Sequence, residues 1–176
     1  MAARALRSVA ALTVDKAGYE DVRGRMRAIA GEATEARGAF LDLADRDGDA
    51  FEAVMAAFAL PKADDDAKAR RAAAIQDALV GAAAVPLDTV RRAAPLLSLA
   101  EEALRTGNTN AASDALSGAE LLAAGARSAA ANVRINAASL RDRAHADALV
   151  AEVDGLLASV DATLAAIRAA FPGRVG

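Results

Sequence analysis

The chain contains no cysteine and no tryptophan. The missing cysteine excludes disulfides, thiolate chemistry and cysteine-ligated metal. There is one histidine, His145. It lies in the charged run RDRAHAD and reads as a surface residue, without the companions that a histidine-based metal site or triad requires. No metal site is expected. Aromatic residues are only 3% of the chain, and prolines number 4. Charged residues interrupt the apolar stretches before about 18 positions, so no membrane span and no membrane partner is expected. The net charge of −3 disfavours a nucleic-acid partner, which needs clustered positive charge.

What is present is alanine, with Leu, Val and Ile at helical intervals. Alanine is the strongest helix former, and its small side chain lets helix axes approach closely. The 176 residues, 55% hydrophobic and 26% charged, suit a single all-α domain over 1–176. Met1–Val14, MAARALRSVAALTV, carries Arg4 and Arg7 and no acid. It is compatible with a transit peptide, but reads better as the tail of an apolar helix. Val22, Met26 and Ile29 mark one helical face, and Val54, Met55 and Phe58 another. Pro61 should end that second stretch. Pro86 should kink the following helix or start a new one, and Pro95 fits the pattern badly. Gly107 reads as a helix stop, and NTNAASD as the opening of a helix running to about Leu140. Leu149, Val153, Leu156, Val160, Leu164 and Ile167 define the last helix. Short connections predict an antiparallel bundle.

One stretch, Asp45-Arg-Asp-Gly-Asp-Ala-Phe-Glu52, repeats a carboxylate at every second position. A calcium loop is excluded: its sixth position would be Ala50 instead of glycine, and its twelfth Ala56 instead of glutamate. A capping box, Asp49-Ala-Phe-Glu52, accounts for Asp49. A helix continuing through Gly48 instead groups Asp42, Asp45 and Asp49. On both readings Asp47 is left over, and spacing alone makes it a solvated acid.

The stretches DRDGDAFEAVMAAFALPK, AIQDALVGAAAVPL, TGNTNAASD and NVRINAASLRD, in this order, closely resemble the folate-dependent cyclodeaminase/cyclohydrolase family from roughly Leu12 onward. The resemblance implies an all-helical homodimer, cytoplasmic, with a folate cleft partly at the subunit interface. It implies a tetrahydrofolate derivative as substrate, no covalently bound cofactor, and a one-carbon unit undergoing deamination or hydration. By motif position it implies Asp47 as the catalytic base and Lys62 as its catalytic companion. It implies Gly107, Asn108, Ser113, Asp114, Asn132 and Asn136 as substrate-binding residues. Without it, Lys62 reads as a solvated helix-end lysine, Asn108 as a turn residue, Ser113 as a cap, and Asn132 and Asn136 as an interhelical hydrogen-bonding pair. The P-G-G-G-S segment with which the family usually opens its first helix is absent from this sequence. Glycine amides at a helix N-terminus are a natural anion site, so part of folate binding is expected to be missing, through a trimmed start or a lost activity. The competing expectation is a non-catalytic helical dimerisation protein derived from that family.

Overall fold

The computed structural model describes residues 1–175. Its helices are α1 (Ala2–Val14), α2 (Arg23–Ala59), α3 (Asp65–Thr106), α4 (Ala112–Ala138), α5 (Arg143–Ala170) and the short α6 (Pro172–Val175). Single 3₁₀ turns at Glu20–Val22 and Thr109–Ala111 lead into α2 and α4. Consecutive helices α2 to α5 fold back on one another through short connections. α3 touches α1, α2, α4 and α5 and is the axis of the bundle.

The basic segment at the start of the chain is a core helix. Leu6, Val9 and Ala10 on one face of α1 are fully buried. α4 presents a stripe of small residues, Ala112, Ala115, Gly118, Ala119, Ala123, Ala126 and Ala130. At Gly118 an added Cβ would lie 3.3 Å from the Ala2 carbonyl and from Ala5 Cβ, so the missing side chain sets how closely α1 and α4 approach. Larger side chains, Met26, Ile29, Leu87, Leu97, Val133 and Ile167, fill the space between helices.

The helix ends follow local chemistry. Leu60, preceding Pro61, is extended (φ −57°, ψ 147°) and closes α2. Arg71 then donates to the orphaned Phe58 carbonyl at 3.0 and 3.2 Å. Asp64 caps α3 by accepting from the Ala67 amide at 2.7 Å, and Asp142 caps α5 through the His145 amide at 3.0 Å. Gly18, at φ +86°, makes the turn between α1 and α2. Arginine–carboxylate pairs fasten helix to helix, among them Arg25–Glu102, Arg91–Glu152 and Arg168–Glu120. In each, hydrogen bonding to the guanidinium holds the carboxyl below its usual range.

Several expectations need correction. The capping box at Asp49–Glu52 does not form. α2 runs unbroken for 37 residues through Gly31, Gly38 and Gly48. Glycine costs a helix about 1 kcal/mol. Leu43 and Ala57, both buried on the same helix, hold the two halves in one register. Neither Pro86 nor Pro95 divides α3, a helix of 42 residues. Pro95 sits at an exposed position. Pro86 is buried and removes the amide that would serve the Ala82 carbonyl. Asn136 replaces it, its Nδ2 donating to Ala82 O at 2.8 Å. α3 also contains an 18-residue window of mean hydropathy 1.2, apolar and long enough to cross a membrane by composition alone. Asp77 and Asp88 interrupt that window, as expected of the apolar stretches in this sequence. In this fold the helix lies at the bundle's centre.

Candidate active site

Midway along the bundle, α2, α3 and α4 leave a cleft between them. Phe40, Leu43 and Asp47 come from α2, Val85, Pro86 and Thr89 from α3, and Gly125, Ser128 and Asn132 from α4. Its volume is about 280 Å³. The cleft exists because the facing positions on α4 are glycine and alanine, which leave room for a ligand-sized groove. Its lining is largely apolar, with one carboxylate, one amide and two hydroxyls among it. That combination suits a flat, hydrogen-bonding ring held between apolar faces.

Asp47 and Asn132 therefore meet in one cleft, although they belong to helices far apart in sequence. Both are exposed in the single chain, and neither side chain makes a hydrogen bond among the described residues. The burial that would tune Asp47 as a base is not supplied by one chain alone. Asp45 and Asp49, on the same helix, are exposed and do not line the cleft.

Beyond Asp47, α2 carries Phe51, Met55 and Phe58, exposed at 64%, 53% and 48%. At about 100° per residue, Asp47, Phe51 and Phe58 lie within about 40° of one another on the helix. The open apolar stripe is thus continuous with the carboxylate.

The other residues implicated by motif are placed elsewhere. Lys62 sits in the exposed connection after α2, beyond about 18 Å of helix separating Asp47 from Ala59. Asn136 has its amide committed to Ala82, which is the interhelical bond expected of it in the absence of a ligand. Gly107 and Asn108 tie the α3–α4 connection to α1. The buried Thr13 hydroxyl donates to the Val9 carbonyl at 2.8 Å and accepts from the Asn108 amide at 2.8 Å. Asn108 Nδ2 donates to the Leu12 carbonyl at 3.1 Å, and its Oδ1 accepts from the Asn110 amide at 3.0 Å. Ser113 and Asp114 are exposed in the first turn of α4. Ser113 borders a separate polar hollow with Thr109, Asn110 and Arg174. About 27 Å of helix lies between Asp114 and Asn132. One chain therefore splits these residues between the two ends of α4. Among the described residues, no three His, Asp or Glu side chains converge.

Sequence reasoning missed Thr89, Ser128 and the wall residue Phe40. Ser128 had a visible signal, four residues before Asn132 on one helical face. Thr89 and Phe40 had none, because their place depends on how three helices pack.

An all-helical bundle with a carboxylate–amide cleft between three of its helices defines the class. Comparison with known proteins defines it further. Residues 1–155 match the family model described as Formiminotransferase-cyclodeaminase. The chain is 40% identical over 115 residues to methenyltetrahydrofolate cyclohydrolase of Methylorubrum extorquens, covering 65% of this chain and 55% of that protein. It is 35% identical over 106 residues to formimidoyltransferase-cyclodeaminase of Sus scrofa, covering 60% of this chain and 20% of that protein. The crystal structure of formiminotetrahydrofolate cyclodeaminase from Thermotoga maritima superposes with a TM-score of 0.89 at 32% identity, over 100% of this chain and 84% of that one. The chain belongs to the formiminotransferase-cyclodeaminase family. The matched region spans about half of the first curated relative and a fifth of the second.

Proposed function

We propose that this chain is a tetrahydrofolate-dependent one-carbon enzyme, a methenyltetrahydrofolate cyclohydrolase or formiminotetrahydrofolate cyclodeaminase, working as a homodimer. The observation that carries the reading is the convergence of Asp47 and Asn132 in one apolar-walled cleft. Asn132, Thr89 and Ser128 supply hydrogen-bonding groups for the polar ring edge, and Phe40 and Val85 supply flat apolar contact.

In the hydrolytic reaction, water adds to the methenyl carbon and its proton passes to the Asp47 carboxylate. The proton then goes to N5 as the carbon–N5 bond breaks, and the hydroxyl proton is released as the formyl group forms on N10. In the deaminating reaction, N10 attacks the carbon of the protonated formimino group, an amidinium that already carries two hydrogens on its terminal nitrogen. The N10 proton is carried by Asp47 to the departing nitrogen, which leaves as ammonia as the methenyl bridge closes. Both reactions require a proton carrier within reach of two nitrogens, and a carboxylate beside the cationic bridge also stabilises its charge. Neither step calls for a metal or redox cofactor.

The uncovered stripe of Phe51, Met55 and Phe58 supports the homodimer. A second copy seated on Phe51, Met55 and Phe58 also covers Asp47, removes it from water and supplies the desolvation that raises a carboxylate's pKa. It provides a route for Lys62 of one copy to reach the Asp47 cleft of the other. Direct evidence for the reading is binding of a stable reduced folate. 5-Formyltetrahydrofolate in hundredfold excess over its Kd should stabilise the chain by about 2.7 kcal/mol through mass action. A chain that neither shifts its melting temperature with this ligand nor changes the methenyltetrahydrofolate chromophore is a helical interaction protein instead.

A further inference from the structure

Two Asp-Gly pairs occur in the sequence, Asp47-Gly48 on α2 and Asp154-Gly155 on α5. An aspartate can attack the peptide bond that follows it. Glycine has no Cβ to shield its amide nitrogen, and its backbone turns freely. That nitrogen can therefore reach the preceding carboxyl carbon and close a five-membered ring. Within an α-helix the ring cannot close. The backbone angles hold the nitrogen away from Cγ, and its proton is bonded to the carbonyl four residues earlier. The rate at each pair is set by how readily its helix opens locally.

The two helices differ in that respect. Between the buried Leu43 and Ala57, no side chain of α2 is buried, and Ala50 and Val54 are half-buried. This stretch rests on few contacts in the single chain, and Gly48 itself weakens the helix. The Asp47 carboxylate has no hydrogen-bond partner among the described residues. Asp154 has a firmer setting. Val153 and Val160 are fully buried on either side of it, with Leu156 and Leu157 half-buried between them. Its carboxylate accepts from Arg134 Nη2. Each buried valine that must be exposed makes local opening about tenfold rarer.

We propose that Asp47 is a site of spontaneous isoaspartate formation, which places a modification site at the candidate base itself. The Gly48 nitrogen attacks Asp47 Cγ and the N–Cγ bond forms. One carboxyl oxygen leaves as water, taking the amide proton and the acid proton. Water then opens the cyclic imide. Breaking the new N–Cγ bond restores aspartate. Breaking the bond from the nitrogen to the main-chain carbonyl carbon of Asp47 leaves the chain running through Cγ, one carbon longer, with the free carboxylate on Cα. That carboxylate no longer projects from a side chain into the cleft. The modification does not depend on what Asp47 does, whereas its effect on turnover rests on the reading of Asp47 as the base. A second copy seated on Phe51, Met55 and Phe58 holds the same stretch helical, so pairing protects the bond.

The test is mass spectrometry of the full chain, kept dilute, warm and at neutral pH in heavy-oxygen water. Each passage through the imide places one heavy oxygen on the aspartate concerned, and fragmentation separates isoaspartate from aspartate. Asp47 should be labelled about tenfold faster than Asp154, or more. Gly48→Ala should slow labelling of Asp47 by about fivefold or more, the share due to helix propensity alone. A Cβ added at Gly48 meets nothing within 4 Å, so this variant folds and starts with parental turnover. The parent should then lose turnover in step with isoaspartate at Asp47, and the variant more slowly. Absence of label at Asp47, equal labelling of Asp47 and Asp154, or a Gly48→Ala protein labelled as fast as the parent overturns the proposal. Isoaspartate at Asp47 with undiminished turnover supports the modification and overturns the reading of Asp47 as the base.

Discussion

Asn136→Ala removes the donor that serves the Ala82 carbonyl, and the consequence can be worked from one helical turn. The carbonyl four residues before a proline has no amide to accept from. Here that carbonyl lies between α3 and α4, and the Asn136 amide meets it at 2.8 Å. Leaving a partly buried carbonyl unpaired costs about 1–2 kcal/mol, and each kcal/mol lowers the melting temperature by about 2–4 °C in a chain of this size. The same change in a Pro86→Ala background meets a different helix. The amide restored at position 86 bonds the Ala82 carbonyl itself, so deleting the Asn136 amide should then cost only about 0.5 kcal/mol. Thermal or urea unfolding of the four proteins gives the double-mutant cycle, and the coupling expected is about 1 kcal/mol. Equal costs in both backgrounds would refute the compensation. So would an Asn136→Ala protein of parental stability that has lost folate affinity, which would make Asn136 a ligand contact instead.

Gly107→Ala should destabilise the chain by about 1–3 kcal/mol. Its φ of −79° is ordinary, but an added Cβ would press on the Ala103 carbonyl and come within 3.1 Å of Thr13 Oγ1. A melting temperature equal to the parent's would show that the connection has slack. A second expectation concerns the shared cleft. Asp47→Asn and Lys62→Met proteins, each inactive alone, should regain about a quarter of parental turnover when unfolded and refolded together, because half of randomly formed dimers are mixed and each carries one intact site. No recovery would place Lys62 outside the partner's cleft.

The helical character of the chain, the stop at Pro61 and the stripe from Leu149 to Ile167 were legible because they rest on local chemistry and periodicity, whereas the Asp64 cap on α3 was found only in the structure. The continuity of α2 was not legible. Gly48 and three alternating aspartates look like a helix boundary, and only packing against α3 decides otherwise. The fate of Pro86 was hidden for the same reason: its compensating donor lies on another helix, at a position set by how α3 and α4 cross. At the candidate site, motif order singled out Asp47 and Asn132, and the fold brings them together. It does not bring Lys62 or Asn108 to them. The Asn108 bonds to Leu12 and Thr13 connect residues about ninety-five apart in sequence, a contact no local pattern announces.

The most direct measurement is turnover of the methenyltetrahydrofolate chromophore by Asp47→Asn, beside Asp45→Asn and Asp49→Asn. The three side chains are exposed on one helix, carry the same charge, and differ in that Asp47 alone lines the cleft. Loss of a positioned proton carrier should reduce turnover by about 100-fold or more in Asp47→Asn, at parental melting temperature, while the other two proteins retain turnover. Asp47→Asn working like the parent, or all three losing activity alike, would contradict the assignment of the cleft as the place where the one-carbon unit reacts.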